Sequence, residues 1–129
     1  MLRDKLFWIV VCAEALVCFA IWRSLPHAKV RMSDLLGWGT AAFLSALVLA
    51  MFSQTPKWVI AIATIAAPLA ANVVNIVYDL AKDPASHNLL PFELFMTTVV
   101  AACGALVGAV IGTGLHRKAI RDASSRHKN

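Results

Sequence analysis

Glu14 is the residue of this 129-residue chain best placed to do chemistry, because it is the one acid at the centre of an apolar run, residues 6–22. In hydrocarbon an ionised carboxylate is so costly that it must be protonated, paired or in contact with water. The chemistry open to it is proton coupling or cation binding. The structural alternative is a hydrogen-bonded acid that holds the first helix against the third.

Asn72, Asn75 and Asp79 occupy the later half of another apolar run, 58–80, and their i, i+3, i+7 spacing places them along one side of a helix. At a rise of about 1.5 Å per residue, Asn72 and Asn75 fall about 5 and 9 Å beyond the midpoint of that run near Leu69. Thr97 and Thr98, in a fourth run, fall near the level of Asn75. If the faces turn together, Glu14 could meet Asn72 directly and Asn75 through a water, lining a polar cavity that opens outward. The alternative is a set of interhelical hydrogen bonds worth about 0.6–2 kcal/mol each.

Other chemistry finds less support. Asp79, Asp83, His87 and Glu93 match no metal-binding spacing, so no metal is expected. His27 and His87 fall between runs on one side, His116 and His127 at the other end, so no histidine pair brackets a haem. The serines lack a GxSxG context, and there is no HExxH or P-loop, so no catalytic residue and no cofactor is assigned. Cys12, Cys18 and Cys103 lie inside apolar runs and read as small buried hydrophobes.

The elements that must position these residues follow from composition. The chain is 60% hydrophobic and 15% charged, with mean hydropathy +0.72, a balance that suits a bilayer rather than water. Four runs, at about 6–22, 35–52, 58–80 and 92–115, are each long enough to cross it. The expected fold is an all-α membrane protein, a four-helix antiparallel transmembrane bundle made of hairpins 1–2 and 3–4. The run at 6–22 is read as a retained helix rather than a signal peptide, since Glu14 interrupts it and no cleavage site follows.

Ser33 or Asp34 suits the N-cap of the second helix, and Pro91 with Glu93 suits the first turn of the fourth. Pro68 removes one hydrogen bond from the third helix and is expected to kink it before the polar patch. Residues 116–129 form a basic tail, read as disordered or lying on the membrane surface.

Two small-residue patterns predict close helix packing: Ala42, Ala46 and Ala50, and the ladder Gly104, Gly108 and Gly112, flanked by Ala101, Ala105 and Ala109. The ladder makes two overlapping GxxxG units and is the most specific signal in the chain. It reads as contact with another copy or a partner subunit, or as packing within the bundle.

Charge sets the orientation. Eight Lys and Arg (Arg3, Lys5, Lys57, Arg117, Lys118, Arg121, Arg126, Lys128) fall on one side of a four-span bundle, and four (Arg23, Lys29, Arg31, Lys82) on the other. Both termini are therefore expected in the cytoplasm. The net charge of +5 is explained by topology and anionic lipid, and no nucleic-acid partner is expected. The expected location is a bacterial inner (plasma) membrane.

The context Cys12-Ala13-Glu14-Ala15, in the first of four short spans, resembles the small multidrug resistance exporters over a few residues. The long polar loop at 83–93 and the glycine ladder depart from that pattern, and no membership follows.

The leading functional expectation is a non-catalytic integral membrane subunit, a homo-oligomer or part of a larger complex, that packs through Gly104, Gly108 and Gly112 while Asn72 and Asn75 fix helix register. The alternative is a small proton- or cation-coupled transporter with Glu14 as the coupling acid.

Overall fold

The computed structural model describes residues 2–24, 32–83 and 90–126, and these form four helices. They are α1 (Leu2–Ser24), α2 (Met32–Phe52), α3 (Lys57–Lys82) and α4 (Leu90–Arg126). Each is long and apolar enough to cross a membrane. Expectations that fall on Pro26, His27, Lys29, Arg31, His87, His127 and Lys128 lie outside the described residues.

The four runs read from hydropathy are the four helices, but three boundaries differ from expectation. The charged start is already helical, since α1 begins at Leu2. Helix α2 begins at Met32, so Ser33 and Asp34 stand inside its first turn rather than at its N-cap. Helix α4 runs unbroken for 37 residues to Arg126, so the basic segment is helical there and not a disordered tail. From His116 to Arg126 there is no Pro or Gly, and Arg117, Lys118, Ala119 and Arg121 are good helix formers. A formed helix needs no new nucleus to continue through them.

The remaining punctuation follows the residue types. Between α2 and α3 the Ser53 hydroxyl donates to Thr55 Oγ1 at 2.6 Å and accepts from the Thr55 backbone N–H at 3.0 Å, closing a tight turn before Pro56. At the far end of α3, Asp83 is extended (φ −142°, ψ 101°), the conformation that the following Pro84 favours, and its N–H caps the Asp79 carbonyl at 2.8 Å. Pro68 sits inside α3 without ending it. The Thr64 carbonyl loses its donor there, and the Thr64 hydroxyl turns back to the carbonyls of Ile60 (2.9 Å) and Ala61 (3.2 Å).

The most extensive helix contact joins α2 to α4, not the members of either expected hairpin. Its seam is made of residues small enough to let backbones touch. Ala42 and Ala46 of α2 and Ala101 and Ala105 of α4 are fully buried together, with Ala50 and Ala109 continuing the seam. A Cβ added at Gly104 would overlap the Gly39 carbonyl oxygen, and one at Gly108 would overlap that of Phe43. One at Gly112 would lie 2.6 Å from the Leu47 oxygen and 2.9 Å from the Ala50 Cβ. Carbonyls facing Cα atoms at such range make the weak Cα–H···O contacts typical of close helix pairs.

Outside this seam the spans expose large apolar side chains. Trp8, Ile9, Leu16, Val17, Phe95 and Val110 are all more than half exposed, an arrangement that lipid, and not water, would solvate. Cys18 is buried as expected, whereas Cys12 and Cys103 point outward from α1 and α4. The result is a four-helix, largely apolar bundle of membrane-spanning dimensions.

Candidate functional site

Helix α1 presents a single turn of inward polar chemistry. Glu14 is 3% exposed and Cys18, one turn on, is 1% exposed, packed with Trp38 of α2 and Ala71 of α3. Ser45 of α2 faces the Glu14 carboxyl. Neither carboxyl oxygen, however, has a partner at hydrogen-bond geometry.

Helix α3 supplies the amides. Asn72 is 2% exposed, while Asn75 and Thr97 of α4 are fully buried. The Thr97 hydroxyl donates to the Glu93 carbonyl at 2.8 Å, so it is free to accept from Asn72 Nδ2, which lies 2.9 Å away. That chain fixes which way the Asn72 amide points. The Asn75 amide is fixed similarly, since its Nδ2 donates to the Ala71 carbonyl at 2.9 Å, a group that can only accept. Both Oδ1 atoms are left buried with no donor.

Four oxygens on these three side chains are thus buried without a hydrogen-bond partner: two on Glu14, one on Asn72 and one on Asn75. Arg23 of α1 lies 3.8 Å from Asp79 of α3.

The sequence expectations sort accordingly. Asn72 and Thr97 are brought together, whereas Glu14, also buried, makes no hydrogen bond to Asn72 or Asn75. Asp79 lies near the end of α3 against Arg23, whose guanidinium also lies 4.4 Å from the centre of the Tyr78 ring. Lys82 covers that ring too, at 4.3 Å. Thr98 turns to the Leu94 carbonyl at 2.7 Å and takes no part. Pro68 is buried one turn before Asn72.

Sequence reasoning did not pair Arg23 with Asp79, nor Trp22 with Trp38, whose rings stack 5.3 Å apart at 23°. The signal was there in residue type: Arg23 and Asp79 are opposite charges near the C-terminal ends of α1 and α3. Among the described residues no three His, Cys, Asp or Glu side chains gather as metal ligands. A buried set of acceptors can hold a proton, a water or a small cation, each of which brings the missing donor or positive charge.

The Asn72–Thr97 bond gives a direct measurement. Removing each partner in Asn72→Leu and Thr97→Val, and then both, is expected to show a coupling of about 0.6 kcal/mol and no more than about 1.7 kcal/mol, the range for hydrogen bonds between membrane helices. Unfolding of the four proteins in mixed micelles reads it. Strict additivity would mean that the two side chains do not meet.

No protein-family model matches the chain, and no curated protein or solved structure matches it either.

Proposed function

We propose that this chain is a non-catalytic integral membrane protein that takes up a proton or a small cation at Glu14 and carries it across a bacterial inner membrane. One observation carries the reading: Glu14, Asn72 and Asn75 together bury four acceptor oxygens that lack a donor. Leaving polar groups unmet in hydrocarbon costs stability, and intramembrane acids are found where they bind ions or protons.

The orientation belongs to this proposal. The α2 residues that face Gly104, Gly108 and Gly112 ascend with them, from Gly39 to Leu47, while Asn72 of α3 faces Thr97 and Lys57 shares a groove with Arg117. These pairings support an antiparallel bundle, and eight Lys and Arg against four support cytoplasmic termini.

Flux into proteoliposomes tests it. Under an imposed pH or sodium gradient, wild-type protein is expected to carry protons or sodium faster than protein-free vesicles, and Glu14→Gln to fall to the vesicle background. Equal flux from Glu14→Gln, or no flux from the wild type, would remove the reading.

The assembly-subunit reading comes second. Its proposed contact, the glycine ladder, is covered by α2 of the same chain. A partner subunit would have to use another face, and α1 offers one, with Trp8, Ile9 and Leu16 facing outward.

A further inference from the structure

The start of α3 and the end of α4 enclose a groove of about 460 Å³, lined by Lys57, Trp58, Ala61, Leu106, Val110 and Arg117 among others. Its two ends differ in kind. Lys57 and Arg117 stand at one end, and the walls running away from them are apolar. From Arg117 to Leu106 is eleven residues of α4, about 16 Å, close to half of a hydrocarbon core about 30 Å thick. The groove is therefore one leaflet deep.

Two further features mark the site. The Thr113 hydroxyl, which lines the groove, is buried and makes no hydrogen bond. Trp58, exposed over most of its surface, stands beside Lys57 at the mouth, where an indole sits at the headgroup level.

We propose that this groove binds one anionic phospholipid of the leaflet on the Lys57 side. The phosphate and any further headgroup charge sit between Lys57 and Arg117, and an acyl chain runs along Trp58, Ala61, Leu106 and Val110. Charge complementarity selects this occupant: two cations without an acid among the groove residues favour a negative headgroup over a zwitterionic one. The site is separate from Glu14 and does not depend on the transport reading.

Native mass spectrometry of the full chain, released from micelles doped with phosphatidylglycerol or phosphatidylcholine of matched chains, tests it. Wild type is expected to retain one phosphatidylglycerol with about thirtyfold preference, the combined attraction of two basic residues to an anionic headgroup, and Lys57→Gln/Arg117→Gln to lose that preference. Ala61→Phe, which fills the groove and leaves both cations, is expected to abolish retention of either lipid. Lys118→Gln/Arg121→Gln, further along α4, is expected to change nothing.

Equal retention of the two lipids by wild type, an unchanged preference in Lys57→Gln/Arg117→Gln, or the same loss from Lys118→Gln/Arg121→Gln would overturn the proposal. Retention undiminished in Ala61→Phe would do so as well. Circular dichroism of each variant confirms that the helices are intact before binding is compared.

Discussion

Gly108→Ala is expected to destabilise the bundle by about 1–3 kcal/mol, the usual cost of adding volume to a packed interior, and Gly108→Leu to leave no folded protein to recover. The reason is what the new Cβ would strike. It would overlap the carbonyl oxygen of Phe43 and come within 3.1 Å of the Leu47 nitrogen, atoms of the α2 backbone that have no rotamer to escape to. Helix α2 must then withdraw as a body, and its contacts with Gly104 and Gly112 open with it. Gly114→Ala is the control, because nothing lies within 4 Å of its added carbon. Unfolding midpoints in mixed micelles should separate the two alanine variants clearly. The solubilised mass of whatever Gly108→Ala remains folded should equal that of wild type, since the ladder holds this chain together and not two copies. A change of mass with no change in unfolding would reverse that assignment.

The ladder also shows how far the sequence could be read. Three glycines at intervals of four state that two backbones approach closely, and they do. What they leave open is the identity of the second helix, because an unbranched surface accepts any complementary one. The answer lay in α2, where Gly39, Ala42, Ala46 and Ala50 make the matching face. Helix pairing in lipid is decided by such mutual fit rather than by chain adjacency, so the short α2–α3 turn did not reveal that α4 is the principal partner of α2.

The four spans were legible because hydrocarbon thickness imposes length and composition together. The course of α4 beyond the membrane was not. Its residues are polar, and polarity read as disorder, yet a helix already nucleated in the bilayer continues wherever no breaker stops it. For the polar residues, depth was legible from the rise per residue but rotation was not. Asn72 thus met Thr97, which depth alone set nearer Asn75. Glu14 stayed without a hydrogen bond to either amide, and Asp79 was drawn to Arg23 at the helix ends.

Glu14→Met is expected to leave the bundle as stable as wild type or more so, by up to about 1–3 kcal/mol, while abolishing ion flux. A buried acid whose two oxygens have no partner at hydrogen-bond geometry carries a desolvation cost that the facing Ser45 hydroxyl offsets only in part, and that cost is of this size. Methionine has a similar length and no group that needs a hydrogen bond, and its flexible chain adapts to the space beside Cys18 and Ser45. Glu14→Gln keeps the shape but still buries a donor and an acceptor, so it should gain less stability while losing flux as completely. The pattern separates the two roles open to an acid at this depth. A carboxyl that merely ties α1 to its neighbours would, on removal, weaken the bundle, and a loss of more than about 1 kcal/mol in Glu14→Met would identify it as such a tie. A carboxyl kept for binding a proton or cation is held against the interest of stability, as functional sites commonly are. Its replacement by an apolar side chain then strengthens the fold and silences the protein together.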